Sequence, residues 1–115
     1  MEHFEPGDNL VFQLESGYGL VRVLAAETRP EGPIWRLALY EDLFPDIEAA
    51  EKALQSPGLL TLGFKQVALT ERAFERTPAA KLGKSPLTDQ ERRLLEDEPD
   101  VKTRDRSLLQ ILGVR

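Results

Sequence analysis

The sequence has no cysteine and a single histidine, His3. The first absence excludes a disulfide framework, a thiolate metal site and a cysteine nucleophile. The second excludes a multi-histidine zinc site. A serine triad would have to use a histidine three residues from the start, where chains fray, and no Gly-x-Ser-x-Gly elbow exists to carry its nucleophile. No apolar run approaches the roughly 20 residues of a membrane span. Met1-Glu2-His3 lacks the basic start of a secretory signal. The expected compartment is therefore the cytoplasm, with no membrane partner. Phosphate-binding motifs are also missing. Gly83-Lys84-Ser85 resembles the end of a P-loop, but the glycine needed five positions earlier is Pro78, and Pro86 disfavours the helix that should follow. In Gly17-Tyr18-Gly19 the third glycine of a dinucleotide fingerprint is replaced by Arg22, which leaves a hairpin signal.

What the chain does have is acidic charge, unevenly placed. Lys and Arg total 15 and Asp and Glu total 20, a net of −5. Residues 1–70 hold 5 basic and 11 acidic residues, a net of −6, and residues 71–115 hold 10 basic and 9 acidic, a net of +1. Such a body repels phosphate backbones, so nucleic acid is not an expected partner. A basic protein is the electrostatically easier one.

The length of 115 residues indicates one domain. We divide it into a β-rich body over 4–70 and a less regular C-terminal segment over 71–115. Leu10, Phe12 and Leu14 alternate with Val11 and Gln13, a strand period, and Ser16-Gly17 marks a turn. Tyr18–Leu24 is rich in β-formers. Arg29-Pro30-Glu31-Gly32-Pro33 breaks the chain, and Ile34–Tyr40 resumes as a third strand with Trp35, Leu37 and Leu39 on one face. Ile47, Ala50 and Leu54 share a helical face, Asp46 is a suitable N-cap, and Ser56-Pro57-Gly58 stops the helix. Leu59–Leu62 and Phe64–Leu69 read as a bent fourth strand, with Phe64 and Val67 inward. Thr70 caps a turn of helix over 70–75 that ends at Thr77-Pro78. Thr88-Asp89-Gln90-Glu91 has the spacing of a capping box. Ser107–Leu112 fits either a strand or a helix. The expected fold is α+β, mainly β: a small curled antiparallel sheet or barrel, one covering helix, and an irregular helical C-terminal segment.

The densest chemistry is Tyr40, Glu41, Asp42, Phe44 and Asp46, expected at the end of the third strand and in the loop after it, where binding residues gather. No catalytic residue and no cofactor is expected. Glu41, Asp42 and Asp46 could as carboxylates hold a hard cation, which leaves a small metal-assisted enzyme as an alternative, but their spacing matches no calcium loop. The other readings are a helix start stabilised by its dipole and an acidic docking patch.

The run Phe4-Glu5-Pro6-Gly7-Asp8-Asn9-Leu10-Val11-Phe12, followed by Gly17-Tyr18-Gly19-Leu20-Val21-Arg22-Val23-Leu24, is similar to the opening of small SH3-like barrels. Among these it most resembles the bacterial immunity-26 family, over residues 4–45. The resemblance implies a non-enzymatic binding protein of polymorphic toxin systems, with no catalytic residues to carry over. The expected function is thus protein binding, in the immunity-type version by neutralising a toxin. A bacterial accessory protein that self-associates as a homodimer through its mixed-charge tail is the alternative.

Overall fold

The computed structural model describes residues 4–15, 17–30, 32–76, 79–97 and 103–104. In chain order the elements are β1 (Asp8–Leu14), β2 (Gly17–Arg29), β3 (Gly32–Phe44), α1 (Ile47–Ala53), a 3-10 turn (Pro57–Leu59), β4 (Leu62–Thr70), α2 (Glu71–Glu75), β5 (Ala79–Lys84), α3 (Asp89–Asp97) and β6 (Thr103–Arg104). They build one six-stranded sheet in the order β5-β1-β2-β3-β4-β6. Every pairing is antiparallel except that of β6 with β4. The fold is α+β with an open sheet, so of the two forms expected the curled sheet is realised and the closed barrel is not. The edges are guarded instead: β5 carries Lys81 and Lys84, and β6 is two residues long.

The N-terminal meander follows from its alternating pattern, but its strands run further than the sequence suggested. β2 and β3 continue as a ladder to Arg29↔Gly32 at one end and Tyr18↔Phe44 at the other. Each strand supplies the other's hydrogen-bonding partner, so residues 25–29 and 41–44 also remain extended. Bulges interrupt the ladders near Asn9, Gly19, Val23 and Leu37, and each adds local bend and twist.

One face carries Leu10, Phe12 and Leu14 of β1, Val21 and Val23 of β2, Trp35, Leu37 and Leu39 of β3, and Val67 and Leu69 of β4. Cross-strand partners such as Leu10↔Val21, Val23↔Leu37 and Leu37↔Val67 show the register that brings them together. α2 adds Ala73 and Phe74. A five-residue helix is only about 7.5 Å long, too short to cover this face, so the curl of the sheet must do most of the burial. At its rim Phe4, Trp35 and Phe74 form an aromatic trio with centroids 5.5–6.3 Å apart. Each fully buried Leu or Val stabilises the fold by about 1.5–3 kcal/mol.

The opposite face is smaller and more polar. Val11, Leu20 and Ala50 form a buried apolar cluster on it, with Tyr18, Tyr40, Phe44, Leu54, Leu60 and Leu82 packed around them. α1 lies over this face through Ala50, the only one of its residues that is fully buried. Both expected caps are present: Asp46 accepts from the Ala49 amide at 2.7 Å and Thr70 from the Ala73 amide at 3.1 Å. The 59–62 segment departs from expectation. Leu59 closes a 3-10 turn and is 84% exposed, and β4 begins at Leu62. Pro57 and Gly58 favour a tight turn there over a strand. The C-terminal segment is also more regular than expected, since β5 and β6 extend the sheet on both sides. Sequence composition hides this, because β5 (Ala79–Lys84) is an edge strand with no continuous apolar face. The expected inward side chain of Phe64, the break at Thr77-Pro78 and the element over 107–112 lie outside the described residues.

Candidate functional site

The polar face of the sheet holds an arginine at its centre. Asn9↔Arg22 and Arg22↔Ala38 are cross-strand pairs, so these three side chains share that face. Arg22 is 4% exposed. A buried guanidinium is costly unless its donors are met, and here they are. Nη1 donates to the Gly7 carbonyl at 2.6 Å, Asn9 Oδ1 at 3.1 Å and Ser85 Oγ at 2.9 Å. Nη2 donates to the carbonyls of Ser85 and Pro86, both at 3.0 Å. Nε and Nη2 also clasp Glu91, at 2.9 and 3.1 Å.

Gly7 makes this arrangement possible. Its φ is +95°, and a Cβ there would sit 2.5 Å from the Ser85 carbonyl oxygen. Its amide donates to the Val23 carbonyl at 2.8 Å, and its own carbonyl accepts from the Ser85 amide at 3.0 Å. The Pro-Gly-Asp turn therefore ties the start of β1 to the 85–86 segment. Asp8, fully buried, secures the turn by accepting the Glu5 amide at 2.7 Å and pairing with Lys81 at 3.2 Å. That ion pair lies off the hydrogen-bonding direction, since Oδ1 has no hydrogen-bond partner.

α3 is placed by the capping box read from the sequence: Glu91 N–H donates to Thr88 Oγ1 at 3.1 Å, and Thr88 N–H to Glu91 Oε1 at 3.0 Å. Burial by itself would push the Glu91 carboxyl up. Hydrogen bonds from Arg22 and from the Thr88 amide outweigh that effect and hold it below its ordinary range. Farther along, Gln66 Nε2 donates to the Leu94 carbonyl at 3.0 Å.

Between α3 and the 54–62 segment the same face opens into a cleft of about 510 Å³, within the range of ligand pockets. Ala38 and Tyr40 line it from β3, Leu54, Leu60 and Leu62 on one side, and Ser85, Glu91 and Leu94 on the other. Among the described residues that line it, Arg22, Tyr40 and Glu91 are the ionisable ones. Burial pushes the Tyr40 phenol up, the Glu91 charge adds to this, and Arg22 opposes it.

The five residues expected to form a site are divided among separate places. Tyr40 lines the cleft. Phe44 packs beside Tyr18 in the smaller core. Asp42 accepts the Thr61 amide at 2.6 Å and holds the 3-10 segment to β3. Glu41 is exposed, and its amide donates to the Thr61 carbonyl at 2.9 Å. Asp46 caps α1 and borders a shallow groove with Glu48, Glu51, Lys52 and Gln55. Among the described residues, no three or more His, Cys, Asp or Glu side chains gather as a metal would require. Residues 40–44 belong to β3, not to a loop.

Arg22, Asn9, Ser85 and Leu94 were missed. Arg22 did leave a signal, being the one charged residue within Leu20-Val21-Arg22-Val23-Leu24. A charge inside a strand buried on both faces needs a partner, and Glu91 was already marked by its capping box. Comparison of the chain with protein-family models, with curated proteins and with solved structures finds no match in any of the three.

Proposed function

We propose that this protein is a non-enzymatic protein-binding module that receives a basic partner at the cleft between the 54–62 segment and α3. The observation that carries the reading is the cleft, with its wall of Leu54, Leu60, Leu62 and Leu94. Leu59, 84% exposed, stands next to it in the chain. An apolar pocket beside an exposed leucine suits the anchor side chain of a partner. Glu48 and Glu51 of α1 add negative charge nearby, and the net −6 of residues 1–70 favours a cationic partner and speeds its approach.

The chemistry of the cleft favours binding over catalysis. Two of its three ionisable groups are committed to each other, and the third is a phenol pushed above its ordinary range. Among the described residues, no nucleophile stands there with a free base beside it. Within this reading, the immunity-26 resemblance over residues 4–45 makes the basic partner a toxin, neutralised by occlusion.

The test is affinity capture from native lysate at low and high salt, using the wild type, Leu59→Glu, Leu62→Glu and the control Leu43→Glu. Leu43 is an exposed leucine that does not line the cleft. The expected result is a basic protein retained by the wild type and the control, lost from the two cleft variants, and weakened by salt. Equal retention by all four, or no retained protein at either ionic strength, overturns the proposal. A wild-type homodimer that Leu59→Glu dissociates, with no other protein retained, replaces it with self-association.

A further inference from the structure

The geometry points to α3 being a displaceable strap: the helix can lift from the sheet and widen the cleft while the rest of the fold stays in place. This rests on the binding reading given above and concerns how that site is regulated. Three observations carry it.

First, no residue of α3 is fully buried. Leu94 and Leu95 are only half-buried, so little apolar area holds the helix down. Second, among the described residues its polar ties to the sheet are the Glu91–Arg22 clasp and the Gln66–Leu94 hydrogen bond. Third, the receptor for Glu91 does not depend on Glu91. Arg22 also donates to Gly7, Asn9, Ser85 and Pro86, none of which belongs to α3. Lifting α3 therefore leaves a guanidinium still oriented and mostly satisfied, which removes much of the usual cost of breaking a buried ion pair.

The helix is anchored at both ends. Ser85 is bonded to Gly7 on one side, and Thr103–Arg104 pairs with Ala68–Leu69 on the other. These anchors keep the motion local. The cleft beneath supplies the room, with Glu91 and Leu94 forming its moving wall.

The experiment is residue-resolved hydrogen exchange on the full chain without any partner, so that it reads the strap whether or not a partner is found. Glu91→Gln keeps a side-chain oxygen for the capping box but removes the charge. Gln66→Ala removes the second tie without touching α3. In each variant the amides of 93–97 should exchange at least about 10-fold faster than in the wild type, the scale of losing one charge-assisted or buried hydrogen bond. Amides in 10–14, 20–24 and 35–39 should accelerate by a clearly smaller factor, no more than the loss of global stability gives. The emission of Trp35, which lies in the core on the other face, should be unchanged. Unaltered exchange in 93–97 overturns the proposal. So does acceleration shared equally by the sheet, or unprotected α3 amides in the wild type. Equal capture by wild type and cleft variants, with the strap still opening, would overturn the binding reading alone.

Discussion

Glu91 meets Arg22 with both carboxylate oxygens, Oε2 2.9 Å from Nε and Oε1 3.1 Å from Nη2, across 69 positions of sequence. Oε1 also accepts the Thr88 amide. One side chain thus closes the start of α3 and fixes that helix to β2. Local helix signalling and long-range assembly act through the same carboxylate.

Stability should therefore fall in acid partly through Glu91. Its carboxyl lies below its ordinary value of 4.5 in the fold. A carboxylate lowered on folding contributes stability that is complete above its unfolded pKa and is lost as pH falls through the folded one. Burial would raise the Glu27 carboxyl, but Arg36 and Arg29 hold it low as well, so it adds to the acid sensitivity with the same sign. The comparison must therefore be between variants. Urea midpoints measured across pH should show Glu91→Gln less stable than wild type at neutral pH, with the two curves converging in acid. Parallel curves would exclude Glu91 as a source of the acid sensitivity.

Gly19 faces Phe12 across the β1–β2 ladder. A Cβ at position 19 would sit 2.7 Å from Phe12 Cζ and 3.1 Å from two further ring atoms. Phe12 is 2% exposed and surrounded by core, so the ring has little room to yield. Gly19→Ala should cost about 1–3 kcal/mol by overpacking. Gly19→Ala combined with Phe12→Leu should cost less than the two single changes added together. Strict additivity in denaturant unfolding would show that the ring and position 19 do not meet.

The glycines show how far the sequence could be read. The hairpin at Gly17 follows from local turn chemistry, and φ there is +149°. Gly19 looks like part of the same turn, yet its role is close approach to a ring on the next strand, which local pattern cannot reveal. The same boundary runs through the candidate site. Alternation, caps and stops locate β1–β4, α1 and the start of α3, because each depends on residues within one turn or one strand period. Arg22 with Ser85 and Glu91 depends on pairing between β1, β2 and the 85–91 segment, so only the assembled sheet brings them together. Asp42 and Asp46 look like members of one cluster by spacing, but each carboxylate serves a backbone amide of its own.

Asp46 offers a direct separation of capping from docking. Its Oδ1 accepts the Ala49 amide, so Asp46→Ala should destabilise the protein by about 1 kcal/mol, whereas Asp46→Asn should cost a few tenths. Both remove the same charge. If position 46 acts by charge in partner capture, the two variants weaken capture equally. If it acts as a cap, capture follows stability, and Asp46→Asn behaves as wild type. The second outcome is expected, because the proposed partner site is the cleft and Asp46 does not line it.

Tyr40 reports on the cleft itself. Burial raises its phenol above the ordinary value of 10.0, the Glu91 charge raises it further, and Arg22 opposes both. Deprotonation is thus easier in the unfolded chain than in the fold, so this residue contributes nothing to pH dependence near neutrality and destabilises the fold as pH rises beyond 10.0. The chain has two tyrosines, so absorbance titration can be divided by a single variant. Tyr40→Phe should remove a late-titrating component. Glu91→Gln should move the late component down, because it deletes a neighbouring negative charge and, where the strap lifts, admits water to the ring. Both effects have the same sign, and added salt separates them: screening weakens the charge effect but does not restore the burial. A phenol titration unmoved by Glu91→Gln at any ionic strength would mean that Tyr40 and Glu91 do not share the cleft.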